Sequence, residues 1–255
     1  VGDVGPSHYV QMVNLSFAIW DKTGRLLYGP APISTLWSGF GGACASGNDG
    51  DPIVLYDHLA DRWLISQMRW PNSVYSGPFY ECIAVSATND PLAAWYRYEF
   101  LFSNTKLNDY PKLAVWPDAY YMTANQFTAG SLDWAGQGVV ALERERMLNG
   151  QAARMIYLDL YPVDPNLGGM LPADLDGRNQ PPDGAPAYFA QIDNNAWGYS
   201  QDQLELWQFQ VDWSNPASST FSNVGRLATA QFNSLCDNTR SCIPQPFVSP
   251  IPGLD

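Results

Sequence analysis

Carboxylates stand directly before two apolar segments of the sequence. Asp49 and Asp51 precede the segment IVLYD (53–57), and Asp109 precedes KLAVW (112–116). Carboxylates that converge from neighbouring segments bind a hard cation through oxygen, or they divide the work of acid and base or nucleophile in glycoside hydrolysis. The same residues also suit turns, because Asn-Asp-Gly favours a turn and a residue before proline is extended. Site and turn both remain open at this point.

A second acidic segment, LPADLDGRNQPPDG (171–184), contains Asp174 and Asp176. It resembles a calcium loop only in part, because Arg178 and Asn179 stand where that loop has an acid and a glycine. A plain polar loop is therefore the first interpretation of this segment and a calcium site the second. If calcium is the cofactor, its candidate ligands are Asp49, Asp51, Asp109, Asp174 and Asp176.

Aromatic residues are the other candidates for a ligand site. Indole rings beside carboxylates suit sugars, whose apolar faces stack while their hydroxyls form hydrogen bonds. We expect the best candidates to be Trp70, Trp116 and Trp134; the alternative for each is packing inside the fold. The tryptophans in or near predicted loops and strand ends are Trp37, Trp70, Trp95, Trp116, Trp134, Trp197 and Trp213.

Charge and motif content exclude several classes of function. The formal net charge of -12 argues against binding to nucleic acid, which needs clustered Lys and Arg. The sequence has no Gly-rich phosphate loop and no Gly-x-Ser-x-Gly, and its two histidines, His8 and His58, make a serine triad or zinc hydrolase a poor fit. We therefore expect no nucleotide or redox cofactor. No apolar run approaches the ~20 residues that span a bilayer.

The four cysteines lack the Cys-x-x-Cys spacing of zinc and redox sites. Cys236 and Cys242 enclose a short polar loop that a disulfide can close, which leaves Cys44 to pair with Cys82. Disulfides persist in oxidising compartments, so we expect a secreted, extracellular protein. The alternative is four buried free thiols.

The chain repeats a pattern of short strands. With 46% hydrophobic and 15% charged residues, many aromatics, 20 Pro and 21 Gly, the composition favours an all-β fold rich in turns. A proline opens an apolar run four times at intervals typical of propeller repeats, and further predicted strands follow each run. The opening segments are Pro6 SHYVQMVN, Pro52 IVLYD, Pro111 KLAVW and Pro186 AYFAQID. The one helix-like stretch is LERERMLNG (142–150).

We therefore predict a single β-propeller domain over residues 1–255, with about four visible four-stranded units. The first unit shows only three strands, and the fourth has an uncertain strand near NNAWGYS. We expect five or more blades in total, completed by residues beyond 255 or by a partner chain. The predicted units lie near 1–40, 48–102, 108–161 and 170–232, followed by a disulfide loop and connector at 233–255.

Four long motifs resemble the N-terminal portion of a group of secreted bacterial and metagenomic propeller-like proteins. The resemblance covers nearly the whole chain and implies a domain that continues further, but it assigns no catalytic residue. The motifs are VGPSHYVQMVN, NDGDPIVLYDHLADRWLISQ, NDYPKLAVWPDAYYMTANQF and LPADLDG.

The sequence thus predicts an extracellular protein directed at a polysaccharide or glycan. If it is an enzyme, we expect a glycoside hydrolase or a lyase, with Asp49, Asp51 and Asp109 as the catalytic acids at the mouth of the channel. The alternative is a non-catalytic, calcium-stabilised propeller for adhesion or protein binding. Acid-to-amide changes that abolish product without unfolding the protein separate the first hypothesis from the second.

Overall fold

The computed structural model describes residues 1–177 and 179–232, and it confirms the all-β propeller. Four antiparallel sheets of four strands each follow one another along the chain, and in each sheet the strands pair in sequence order. We call these sheets blades 1 to 4. The predicted Cys236–Cys242 disulfide and the connector at 233–255 lie outside the described residues.

Blades 1 and 2 contain the first eight strands. In blade 1 these are β1 (Gly2–Val4), β2 (His8–Val13), β3 (Ser16–Asp21) and β4 (Leu26–Pro32). In blade 2 they are β5 (Ile53–Asp57), β6 (Arg62–Arg69), β7 (Phe79–Ser86) and β8 (Trp95–Ser103). The tight turn between β3 and β4 is held by the Asp21 carboxylate, which accepts hydrogen bonds from the backbone N–H groups of Thr23 and Arg25.

Blades 3 and 4 contain the other eight strands. In blade 3 these are β9 (Lys106–Val115), β10 (Tyr120–Thr128), β11 (Trp134–Leu142) and β12 (Met155–Asp159), with helix α1 (Arg144–Leu148) between the last two. In blade 4 they are β13 (Leu171–Pro172), β14 (Ala187–Asp193), β15 (Gln203–Gln210) and β16 (Thr220–Ala228). No helix in the described part of the chain is long and apolar enough to cross a membrane.

The first strand of each blade lies at the centre. Strand β1 lies against β5, β5 against β9, and β9 against β13, so these four strands surround the axis. The sequence pattern placed the apolar runs after Pro6 and Pro186 first in their blades. This prediction is wrong, because these runs form β2 and β14, which are second strands. The true first strands, β1 and β13, are three and two residues long, too short to show an alternating pattern. Blade 1 therefore has four strands, and NNAWGYS contains a 3-10 turn rather than a strand.

Alternation along the strands gives each inner blade two apolar faces. Successive side chains of a strand point to opposite faces, and β6 shows this clearly: Trp63 and Ile65 pack toward blade 1 while Leu64 packs toward blade 3. Blades 3 and 4 meet through aromatic contacts, with Tyr121 edge-on to Phe189 at 5.6 Å. The blades are thus joined by three buried apolar layers.

A buried disulfide confirms the predicted Cys44–Cys82 pair. The two Cα atoms lie 5.8 Å apart, within the usual range, and both residues are fully buried. The bond ties the loop before blade 2 to strand β7. Because the disulfide fixes this loop to strand β7, it restricts the movement of the segment that follows. That segment contains Asp49 and Asp51 and leads toward the axis.

Candidate functional site

Two inner strands begin at the same end of the propeller, which we call the upper end. Asp51 and Pro52 before β5, together with Tyr110 and Lys112 of β9, line one cavity of about 220 Å³ there. The other end of these strands, where Asp57 of β5 and Val115 of β9 lie, is the lower end. Both ends carry acidic residues, and their surroundings differ.

The upper end is built from two strained residues that each precede a proline. Asp51 and Tyr110 have φ of 46° and 50°, a region that non-glycine residues rarely adopt. Tyr110 and Pro111 together oppose the single residue Ala124, so the register between β9 and β10 shifts and a β-bulge forms. Bulges and positive φ values of this kind often mark functional sites, because they redirect a side chain out of the regular strand.

Charges meet at this end around Lys112. Burial lowers the pKa of the Lys112 ammonium, while the carboxylates of Asp51 and Asp109 act in the opposite direction, which places both acids close to it. The ammonium also lies over the Tyr110 ring, 3.0 Å from its centroid, and Tyr110 is 61% exposed. Asp51, one of the three predicted catalytic acids, therefore lines the cavity at the upper end, and Asp109 lies near enough to Lys112 to act on its pKa.

Asp49, the third predicted acid, has a different surrounding. Its Oδ2 accepts a hydrogen bond of 2.6 Å from Arg69 Nη1 and one of 3.0 Å from the backbone N–H of Trp70. Both ionic partners are mostly buried. The Asp49 carboxylate therefore stabilises the end of β6. Trp70, one of the predicted sugar-binding residues, lies half-buried beside this ion pair.

Glu81 is a buried acid that was not among the candidate residues predicted from the sequence. It lies in β7 and is 1% exposed, and this burial raises the pKa of its carboxyl to about 8, with the nearby Asp51 acting in the same direction. Asn108 Nδ2 donates to its Oε2 at 2.8 Å. The Ser66 hydroxyl lies near enough to lower this pKa, although neither it nor Glu81 Oε1 forms a hydrogen bond of ordinary geometry with another described residue. The one sequence signal is an acid in the middle of the apolar strand FYECIAVS.

Three cavities adjoin one another at the upper end through shared lining residues. The cavity at the axis shares Tyr110 and Lys112 with a second cavity of about 290 Å³, which also reaches Asn125 and Gly169. Gly169 is shared in turn with a third cavity of about 410 Å³. We call this run the upper groove. It leads from Asp51 at the axis to the junction of blades 3 and 4.

The outer cavity of the groove presents two exposed indole rings. We call it the Trp cleft, and its lining is Trp134, Asn166, Gly168, Gly169, Ile192 and Trp197. Trp134 is 39% and Trp197 is 49% exposed. The Trp134 ring is held edge-on to Phe127, and its Nε1 donates to the Pro165 carbonyl at 2.7 Å. The indole is thus fixed in place with much of its surface available.

The remaining predicted sugar-binding residue packs inside the fold. Trp116 is only 6% exposed, lies in the apolar layer between blades 3 and 4, and donates from Nε1 to the Ala185 carbonyl at 3.0 Å. Trp134 is therefore the one of the three candidates that lies in the groove. Trp197, which the sequence placed only among the tryptophans near loops, joins it there.

Acids at the lower end are engaged in contacts between blades. Asp57 in blade 2 accepts hydrogen bonds of 2.7 and 2.9 Å from Arg144 and one of 2.9 Å from the Tyr120 hydroxyl, both in blade 3. Asp3 accepts from the backbone N–H of Tyr56 at 2.6 Å. Asp174 accepts from Val115 N–H at 2.6 Å.

The predicted calcium ligands do not gather at one place. Asp51 and Asp109 lie at the upper end, whereas Asp174 lies at the lower end with Asp176 nearby. Burial raises the pKa of Asp174 to about 6, and Asp176 adds to this effect. Among the described residues, no group of three or more His, Cys, Asp or Glu side chains is placed to hold a metal ion.

The fold and the site together define a β-propeller with an open, aromatic-lined groove at one end. No family model matches the chain, and no curated protein matches it either. The chain is similar in structure to an exo-β-1,3-galactanase from Clostridium thermocellum, with 12% sequence identity and a TM-score of 0.41 over 89% of this chain and 48% of the galactanase chain. It thus spans about half of that protein. The likeness is too distant to carry an argument, so the assignment of fold and site rests on the sheets and side chains themselves.

Proposed function

We propose that the protein is an extracellular, carbohydrate-directed β-propeller that binds a glycan in the upper groove and acts on it as a glycoside hydrolase. One observation carries this proposal: adjoining cavities lead from the two exposed indoles of the Trp cleft to Asp51 and Lys112 at the axis. An extended chain of sugars has that shape, and a groove with aromatic platforms and few polar groups is typical of ligand sites.

The two parts of the groove have separate roles. The faces of Trp134 and Trp197 stack against the apolar faces of sugar rings, while Asn125 and Asn166 offer hydrogen bonds to hydroxyls. At the axis, one of Asp51 and Asp109 protonates the glycosidic oxygen. The other acts as a base, taking a proton from the water whose hydroxyl bonds to the anomeric carbon, or as a nucleophile, forming a glycosyl-enzyme that water then hydrolyses.

Burial of the Cys44–Cys82 disulfide supports the extracellular part of the proposal. A fully buried disulfide fits a protein that folds in an oxidising compartment. The resemblance of the four long motifs to secreted bacterial propellers adds to this expectation.

Acid-to-amide variants test the catalytic assignment. Asp51→Asn and Asp109→Asn should each lower the release of reducing sugar from a polysaccharide panel by about 100-fold or more, the usual contribution of an acid or base. The matched control is Asp183→Asn, an exposed loop acid that does not line the groove; it should keep full activity.

Two results contradict the catalytic assignment. One is that intact, folded wild-type protein releases no product from any polysaccharide; the other is that both groove variants retain full activity. The first result would favour the non-catalytic alternative, a calcium-stabilised propeller for adhesion. In that case chelation by EDTA lowers the melting temperature of the wild-type protein.

A further inference from the structure

Three buried polar side chains meet at the junction of blades 2 and 3. They are Ser66 of β6, Glu81 of β7 and Asn108 of β9, and each is at most 1% exposed. The ladder pairs Ser66 with Ile83, so Glu81, two residues from Ile83, is the diagonal neighbour of Ser66 on the same face of the sheet. Asn108 donates from Nδ2 to Glu81 Oε2 at 2.8 Å. The three side chains therefore lie close together.

Each of these side chains leaves one oxygen without a hydrogen bond. Ser66 Oγ, Glu81 Oε1 and Asn108 Oδ1 have no hydrogen-bond partner of ordinary geometry among the described residues. Gln126, which is equally buried and opposite Asn108 in the ladder, differs, because both ends of its amide are bonded within blade 3. Buried polar atoms are almost always paired, so three unpaired oxygens in one place indicate a ligand that they share.

The ligand that suits these three atoms is a cation. All of them are oxygens, from a hydroxyl, a carboxyl and an amide group, and oxygen is the ligand atom that hard cations prefer. A proton on Glu81 can serve only one of the other two oxygens, whereas a cation bonds to all three at once. A buried carboxylate also needs a counter-charge, and Asp51, the charged neighbour that acts on Glu81, has the wrong sign.

The number of acids at this place sets the charge of the ion. Divalent ions such as calcium are commonly held by several carboxylates. No group of three or more His, Cys, Asp or Glu side chains in the described part of the chain is placed for that. A single carboxylate matches a single positive charge, and a monovalent ion beside Glu81 leaves the buried junction electrically neutral, which burial favours.

We propose that Ser66, Glu81 and Asn108 bind a monovalent hard cation, sodium or potassium, between blades 2 and 3. The ion joins three strands of two blades beside the axial cavity. Ile53, which lines that cavity, pairs with Ser66, and Asn108 stands two residues before Tyr110 in β9. The ion thus stabilises the wall of the cavity from behind. Its binding requires no glycan, so it can be tested apart from the function proposed above.

Thermal melting in different salts tests this site. The wild-type protein is melted at equal ionic strength in NaCl, KCl and choline chloride, with EDTA in every sample to remove divalent ions. The buffer is at about pH 9, where fewer protons compete with the ion for the Glu81 carboxylate. We expect the melting temperature to be about 3–6 °C higher in the preferred metal salt than in choline chloride, at about a tenfold excess of the ion over its dissociation constant. The larger rise, in NaCl or in KCl, identifies the ion.

Two glutamate variants locate the effect of the salt. Glu81→Gln removes the charge that the ion needs and keeps a side chain of the same size, so the difference between the salts should disappear. Glu205→Gln is the matched control. Glu205 is 2% exposed, but Arg226 already balances its charge, so this variant should keep the difference.

Crystals of the wild-type protein give a second readout, which holds even if Glu81→Gln does not fold. They are grown in NaCl, KCl, RbCl and choline chloride, and rubidium adds an anomalous signal. We expect density bonded to Ser66 Oγ, Glu81 Oε1 and Asn108 Oδ1 in at least one metal salt, and none at that place in choline chloride.

Three results overturn the proposed ion site. They are equal melting temperatures in the three salts, a salt effect that survives in Glu81→Gln, and density at the site that persists in choline chloride, which would be a water molecule. A salt effect that is lost in Glu81→Gln and kept in Glu205→Gln, with density in a metal salt alone, supports the site. None of these results bears on whether the upper groove binds a glycan.

Discussion

Acids occur at both ends of the inner strands, and the two ends use them differently. At the lower end, Asp57, Asp3 and Asp174 each accept hydrogen bonds from a neighbouring blade. At the upper end, Asp51 lines an open cavity together with Lys112, and Asp109 also acts on the pKa of that lysine. The same residue type thus joins blades at one end and lines a cavity at the other.

This difference between the two ends follows from the hydrogen-bonding requirements of the inner strands. Backbone N–H groups on the free edge of a central strand have no partner within their own blade. Asp3 and Asp174 supply that partner to Tyr56 and Val115, which occupy matching places in β5 and β9. These contacts satisfy the inner strands at the lower end, whereas Asp51 at the upper end lines an open cavity.

The largest expected effect comes from breaking the buried ion pair at the lower end. Asp57 is fully buried and Arg144 is 7% exposed, so Asp57→Asn leaves a buried guanidinium without its counter-charge. We expect the free energy of unfolding to fall by about 3–5 kcal/mol. Urea denaturation measures this loss.

A double variant sharpens that result. Replacing both Asp57 and Arg144 by leucine removes the unpaired charge, so much of the lost stability should return. A double variant as unstable as Asp57→Asn would mean that hydrogen bonds to Tyr120 and Pro117, rather than the ion pair, hold the two blades together.

Substitutions of Asp49 and of Asp51, two acids at the upper end, should have opposite effects on stability and activity. Asp49→Asn removes a charged partner from the mostly buried Arg69 and should lower the free energy of unfolding by about 1–3 kcal/mol. Asp51→Asn should leave stability nearly unchanged and remove product release. Urea denaturation and a reducing-sugar assay on both variants check the pair; equal stability losses would contradict the separation of roles.

A change in the pH dependence of stability is expected through Glu81. Its pKa is raised from 4.5 to about 8 in the folded protein, so the folded state holds the proton more tightly than the unfolded state. That contribution to stability is complete below pH 4.5 and is lost as the pH rises toward 8. Glu81→Gln keeps an oxygen for Asn108 and removes this loss. Its melting temperature should therefore fall less than that of the wild type between pH 5 and 8, a difference of roughly 10 °C.

Much of the fold could be predicted from the sequence, because apolar runs and turn residues are local signals. Strands of five residues or more, such as β5 and β6, stand out as short runs bounded by turn residues. The inner strands β1 and β13 do not, since two or three residues show no period. Their place at the axis depends on pairing with β2 and β14, which the sequence does not display.

The site was predictable only in part. The proline that follows Asp51 identified this acid as a candidate site residue. The repeated pattern of opening segments predicted that Asp109 lies at the same end of the propeller as Asp51. The Asp49 carboxylate is bound by Arg69, which lies twenty residues away in the sequence. Trp116 is buried by its contacts with residues of blade 4. Long-range contacts of this kind decide whether an acid or an indole is available, and no local pattern reports them.

The most direct test of the central claim is an NMR titration of the ¹⁵N-labelled protein with an oligosaccharide cut from the polysaccharide that the protein binds most tightly. We predict shifts at the upper groove, in the indole N–H signals of Trp134 and Trp197 and the amides of Asn125 and Gly169, with the Arg144 and Asp57 signals unmoved. Shifts confined to the lower end, or none at saturating ligand, would contradict the assignment of function to the upper end.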